Sequence, residues 1–62
     1  MNEQDYAGRA VRRIADGPHG PVGYVVDIID NAEETGREAV VRFPGEPFTE
    51  YAFDLLTLEI GA

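Results

Sequence analysis

The chain has 62 residues, so we expect one small domain with a thin margin of stability. It contains no cysteine and one histidine, which excludes disulfides and a cysteine–histidine metal cluster as stabilising devices. Its 12 acidic and 5 basic residues give a net charge of -7, and this charge disfavours direct binding to nucleic acid because it repels phosphate groups. No leader peptide is recognised and no apolar run approaches the ~20 residues of a membrane span, so we expect a cytoplasmic protein without membrane contact.

The first half of the chain predicts a flexible tail followed by two strands. Residues 1–8 are polar without periodicity and predict the tail. A first strand is predicted at about 10–14, and residues 16–21, with two glycines and two prolines, are typical of a loop. Residues 22–29 are β-branched and aromatic, and they predict a central strand that is covered on both faces or strongly bent. Strict alternation assigns its side chains to two faces, with Tyr24, Val26 and Ile28 on one and Val25, Asp27 and Ile29 on the other.

The middle of the chain predicts an acidic loop, a strand and a tight turn. Residues 30–36 form the loop, which ends at a glycine. Residues 37–43 predict a strand, and residues 44–47, with the sequence PGEP, predict the turn. Alternation along this strand places Ala39, Val41 and Phe43 on one face and Glu38, Val40 and Arg42 on the other.

The end of the chain predicts a returning strand, one helical turn and a last short strand. Residues 48–53 alternate well enough to return as a hairpin. Within residues 54–60, the carboxylate of Asp54 can cap one helical turn before the final strand. Five short strands separated by regular turn signals indicate a small sandwich or barrel. We therefore expect a single barrel domain over residues 9–60.

Apolar residues recur at spaced positions in three of these segments. They are Gly23, Val25 and Ile28, then Val41 and Phe43, and finally Leu55 or Leu56. This pattern, over about residues 8–60, resembles the small SH3-like barrels of the KOW, Tudor-like and related bacterial or phage accessory type. The resemblance implies an all-β, five-stranded barrel with a short helical turn before the last strand. Nucleic-acid-binding members of this type are usually basic, whereas this chain is acidic.

Four aromatic residues are candidates for a binding surface, with Tyr6 in the tail as a fifth: Tyr24, Phe48, Tyr51 and Phe53. Tyrosine suits such a surface because it offers apolar area together with a hydroxyl. We expect Phe43 and Phe53 in the core, and Tyr24 and Tyr51 partly exposed. The leading hypothesis is a small non-catalytic adaptor or regulatory domain that binds another protein, with a basic partner favoured by the negative charge. The predicted contact surface consists of the loops 16–21 and 30–36 with Tyr24 and Tyr51. The predicted partner-binding residues on it are His19, Tyr24, Asp30, Glu33, Glu34 and Tyr51.

Three arginines lie close together near the start of the chain: Arg9, Arg12 and Arg13. They either neutralise part of the acidic surface or contact phosphate or an acidic partner. The second interpretation leads to an alternative function in nucleic-acid association, through direct contact or through mimicry of DNA charge. A further alternative is an accessory subunit of an enzyme, in which the domain only packs. Self-association through strand edges is also open.

The chain lacks two residue types that often serve as catalytic nucleophiles. It contains neither serine nor cysteine, so these nucleophiles are excluded. We interpret His19 as an exposed loop residue rather than a base or a pH switch. The carboxylates around residues 30–36 lack the spacing of a calcium loop and predict a solvated loop. We therefore expect no enzymatic activity, no cofactor and no bound metal.

Overall fold

The computed structural model describes residues 6–31 and 36–61, and within these ranges the protein is all-β. The strands are β1 (Ala10–Arg13), β2 (Val22–Asn31), β3 (Gly36–Arg42), β4 (Tyr51–Asp54) and β5 (Leu58–Ile60). They form one antiparallel sheet in the order β4-β3-β2-β1-β5. The prediction of five strands is confirmed. Between the described parts of β4 and β5, the two edges of the sheet, no pairing is present, so the sheet is not closed.

A β-bulge in β2 decides which of its side chains face the core. Val25 pairs with Val41 and Ile28 pairs with Ala39, so three steps along β2 match two steps along β3. At the bulge, the carboxylate of Asp27 accepts a hydrogen bond of 2.8 Å from the backbone N–H of Ile28. A bulge adds one residue to a strand and bends it. Val25 and Ile28 therefore share the buried face, and the strict alternation predicted for residues 22–29 is wrong.

The opposite face of β2 is exposed, so the alternative in which both faces are covered is also wrong. Tyr24, Val26 and Ile29 all keep a large part of their side chains in solvent. The strand is nevertheless central, as predicted, because β1 and β3 pair with its two edges.

Six apolar residues form the core, and no polar or charged residue among those described is buried. The core consists of Val11, Val25, Ile28, Ala39, Val41 and Leu58. Half-buried apolar side chains pack around it, namely Tyr6, Phe43, Phe53, Leu55 and Ile60. Burial of such side chains is the main favourable term in folding, and every strand except β4 contributes to the buried set.

Two turns shift the start of β4 away from the prediction. The N–H of Glu46 donates to the carbonyl of Phe43 at 2.9 Å, which confirms the predicted turn. The N–H of Thr49 then donates to the carbonyl of Glu46 at 3.1 Å, in a second turn that the sequence did not reveal. Phe48 lies in this second turn with 99% of its surface exposed. The strand predicted for 48–53 therefore begins at Tyr51.

Other boundaries follow from local contacts. Residue Ile14 belongs to a 3-10 turn (Ile14–Asp16) and is exposed, so β1 ends one residue before the predicted 10–14 strand does. The predicted helical turn near Asp54 is confirmed as a 3-10 turn (Leu55–Thr57), capped by a hydrogen bond from the N–H of Leu56 to the carboxylate of Asp54.

The predicted tail and acidic loop are described only in part. Residues 1–5 and 32–35 lie outside the described residues. Residues 6–8 form a turn. The N–H of Gly8 donates to the carbonyl of Val25 at 2.9 Å, and this hydrogen bond joins the turn to β2. Asp30 lies within β2, and Gly36 begins β3. Among the described residues, no helix has the length and apolar character needed to cross a membrane.

Candidate functional site

Three aromatic rings cluster where β3 and β4 meet the turn between them. Tyr51 pairs with Val41, and Phe53 pairs with Ala39. Paired residues project from the same face of a sheet, so both rings lie on the face that carries the core residues of β3. Their rings are stacked, with centroids 6.0 Å apart and planes inclined by 15°. Phe43 meets both rings edge-on, with centroid distances of 5.8 Å and 6.4 Å. Edge-on and offset-stacked pairs are favoured arrangements of aromatic rings.

The aromatic cluster lines an open groove of about 430 Å³. The other lining residues come from two stretches of the chain, one from the end of β1 to the start of β2 and one in the turn after β3, and we call these stretches its two walls. The first wall contains Arg13, Asp16, Pro21 and Val22, and the second contains Pro44, Gly45 and Glu46. We name this site the aromatic groove. Its volume falls within the range of ligand pockets, and its walls combine apolar surface with a few polar groups.

Two contacts set the electrostatics of the aromatic groove. The hydroxyl of Tyr51 donates a hydrogen bond of 2.8 Å to Oε1 of Glu46. This hydrogen bond raises the pKa of Tyr51 above its ordinary value of 10.0, with further contributions from desolvation and from the negative charge of Glu46. The guanidinium of Arg13 lies over the ring of Phe53, 5.1 Å from its centroid, in a cation–π arrangement.

The Tyr51–Glu46 hydrogen bond predicts a measurable titration. Glu46→Ala should lower the pKa of Tyr51 towards 10.0, because it removes both the acceptor and its charge. The raised pKa means that the folded state favours the neutral phenol. Its contribution to stability is therefore present below pH 10.0 and is lost as the pH rises through the raised pKa. Phenolate absorbance against pH gives the measurement, with Tyr51→Phe to assign the signal. An unchanged curve in Glu46→Ala would contradict the assignment.

A second, smaller depression adjoins the aromatic groove. It has a volume of about 180 Å³ and shares Phe43 and Pro44 with the groove. Its other lining residues are Tyr24, Val26, Arg42 and Pro47. Arg42 also forms an ion pair with Glu50. We name this site the proline depression.

The described members of the predicted partner-binding set lie at separate places in the fold. Tyr51 lines the aromatic groove and Tyr24 lines the proline depression. His19 is exposed in the loop that leads to the groove wall at Pro21. Asp30 lies at the far end of β2 and pairs with Arg37 at 3.1 Å. Glu33 and Glu34 lie outside the described residues.

The three arginines diverge in their contacts. Arg12 donates from Nε to the carbonyl of Gly20 at 3.3 Å and forms an ion pair with Glu59 at 3.4 Å. Arg13 covers Phe53, as described above. Arg9 is exposed just before β1. Arg12 contacts a carboxylate, which is the kind of contact that the neutralising interpretation expects, whereas Arg13 contacts an aromatic ring. Phosphate contact stays a prediction.

Sequence reasoning missed part of the aromatic groove. Phe43 and Phe53 were expected in the core, but they are only half-buried at its margin, and the same rings line the groove. Asp16 was included only as a member of the predicted 16–21 contact loop, and Glu46 was not predicted to bind a partner. The sequence does contain a signal for this site. Tyr51 and Phe53 are two residues apart, so they share one face of β4, and Phe43 begins the turn that precedes this strand.

The aromatic groove combines an apolar surface with a few charged groups. Its walls bear the carboxylates of Asp16 and Glu46 and the guanidinium of Arg13, and the chain has no serine or cysteine to act as a nucleophile. Within the parts of the chain that the structure describes, no group of three or more metal-ligating side chains is placed to hold an ion. In comparisons with known proteins, no family model, no curated protein and no solved structure matches this chain.

Proposed function

We propose that this chain is a small non-catalytic domain that binds a segment of another protein in the aromatic groove. The observation that carries the proposal is the cluster of Phe43, Tyr51 and Phe53, which lines a groove between two loops. Aromatic side chains in a concave surface bury a large apolar area when a partner fills it. Loops held by a sheet are the usual place for such a surface.

The charge of the chain supports a protein partner over nucleic acid. Asp16 and Glu46 bring one carboxylate to each wall of the groove, and the chain as a whole has a net charge of -7. This field repels a phosphate backbone and attracts a basic protein surface. Arg13 is the one cation among the residues that the structure places in the groove, and its guanidinium already covers Phe53.

We extend the proposal to the architecture and infer a partly open SH3-like barrel, in which the described parts of β4 and β5 stay unpaired. The sheet order places β1 between β2 and β5, which brings the first and last strands together. The long, bulged β2 and the 3-10 turn that precedes β5 also support this architecture.

Selection from a library of random short peptides tests the function. The immobilised domain should enrich a family of peptides, and Tyr51→Ala should weaken the Kd of an enriched peptide by at least about tenfold, because truncation of a central aromatic anchor costs about 1.4 kcal/mol or more. Phe48→Ala is the matched control, since Phe48 is 99% exposed and outside the residues that line the groove. It should leave the Kd unchanged.

The proposal fails on either of two results. One is a wild-type domain that enriches no peptide. The other is a set of peptides that bind the Tyr51→Ala domain as tightly as the wild type. Circular dichroism of each variant checks that the sheet is retained, so that a loss of binding reports on the groove rather than on unfolding.

A further inference from the structure

We propose that the partner segment is extended and binds at two anchor points, with a cationic side chain in the aromatic groove and an apolar side chain in the proline depression. This inference rests on the proposed function and specifies the chemistry of the partner. Phe43 and Pro44 line both sites, so they form a ridge between two adjoining depressions. A chain that crosses this ridge can place one side chain on either side of it.

The aromatic groove suits a cation because carboxylates stand on both of its walls. Asp16 ends the 3-10 turn after β1, and Glu46 closes the turn after β3. Glu46 already accepts a hydrogen bond from Tyr51, but an ionised carboxylate has about four lone-pair sites and can accept others. The guanidinium of Arg13 over Phe53 is an example, within this same groove, of an aromatic ring in contact with a cation.

The proline depression suits an apolar side chain. Tyr24, Val26 and Pro47 supply apolar walls in addition to the shared ridge. Arg42, the one charged residue among those that the structure places there, forms an ion pair with Glu50, which offsets its charge. Tyr24 and Val26 are 47% and 43% exposed on the uncovered face of β2, so a partner that covers them removes apolar surface from water.

The sequences of the enriched peptides test this inference directly. We expect arginine or lysine in combination with a large apolar residue at a recurrent separation. For one such peptide, the double variant Asp16→Asn, Glu46→Gln should weaken binding about tenfold at low ionic strength and flatten its salt dependence. Asp30→Asn is the control for charge, because Asp30 lies at the far end of β2.

A double-mutant cycle tests the second anchor. Tyr24→Ala should weaken binding of the enriched peptide about tenfold, yet have little effect on the same peptide with its apolar residue replaced by alanine. Phe48→Ala should not show this coupling. Two results would overturn the two-anchor inference and leave the proposed function standing. One is a set of enriched peptides without a cationic residue, and the other is a peptide whose Kd is unchanged by Tyr24→Ala. A wild-type domain that enriches nothing would overturn both.

Discussion

Ile28→Ala should lower the free energy of unfolding by about 2–5 kcal/mol, because it removes buried methyl groups and leaves a cavity in the core. Ile28 is 6% exposed and pairs with Ala39, which is fully buried. A domain of this length has a total stability of roughly 3–9 kcal/mol, so this variant should unfold at a much lower urea concentration or be partly unfolded in buffer.

Ile29→Ala is the matched control, since it deletes the same atoms one residue further along β2. Ile29 is 43% exposed, so the loss should be clearly smaller than for Ile28. The pair tests the bulge itself, because strict alternation from Val25 would bury Ile29 and expose Ile28. Urea denaturation of both variants measures the difference. Equal losses, or a larger loss for Ile29→Ala, would show that the register across the bulge is wrong.

Gly23→Ala should lower the free energy of unfolding by about 1–3 kcal/mol, because the added methyl group overpacks the inner face of the sheet. A Cβ atom at this position would lie 2.6 Å from Cγ1 of Val41, 2.9 Å from Cδ1 of Phe43 and 3.0 Å from the carbonyl oxygen of Arg42. The first two distances are too short for carbon atoms, and the third neighbour is backbone that cannot rotate away. Strands β2 and β3 must therefore shift to accept alanine.

Gly45→Ala serves as the control for Gly23→Ala. A Cβ atom at Gly45 would meet nothing within 4 Å, and this glycine is not among those with positive φ. Its replacement should change the free energy of unfolding by no more than about 1 kcal/mol, and in the stabilising direction if the turn is unstrained. Thermal or urea unfolding of the two variants gives the comparison. Equal stability of Gly23→Ala and the wild type would contradict the close packing of β2 on β3.

The Gly23 prediction also connects the core to the aromatic groove. The ring of Phe43 lies beside the position that a Cβ atom at residue 23 would occupy, and it lines both the aromatic groove and the proline depression. A methyl group at position 23 therefore displaces a ring on which both proposed anchor points depend. Peptide binding by Gly23→Ala should weaken even under conditions in which the variant remains folded.

Local sequence patterns predicted the five strands of this fold, although not the second turn before β4. β-Branched and aromatic residues at 22–29 and 37–43 predicted the two long strands, because such side chains favour extended backbone. Pro44-Gly45 predicted a turn, and Asp54 predicted a capped turn before the last strand. Each of these predictions depends on interactions within a few residues, so a single sequence contains the necessary information.

Tertiary structure decided the faces of β2 and the location of the candidate site. The bulge between Val25 and Asp27 arises because the apolar side chains of β2 must match Val41 and Ala39 across the sheet, and no local preference specifies that match. The aromatic groove exists because β4 packs Tyr51 and Phe53 beside Phe43, and because the segment after β1 supplies its other wall. Residues far apart in sequence meet there, so only the folded sheet brings the acidic and aromatic groups together.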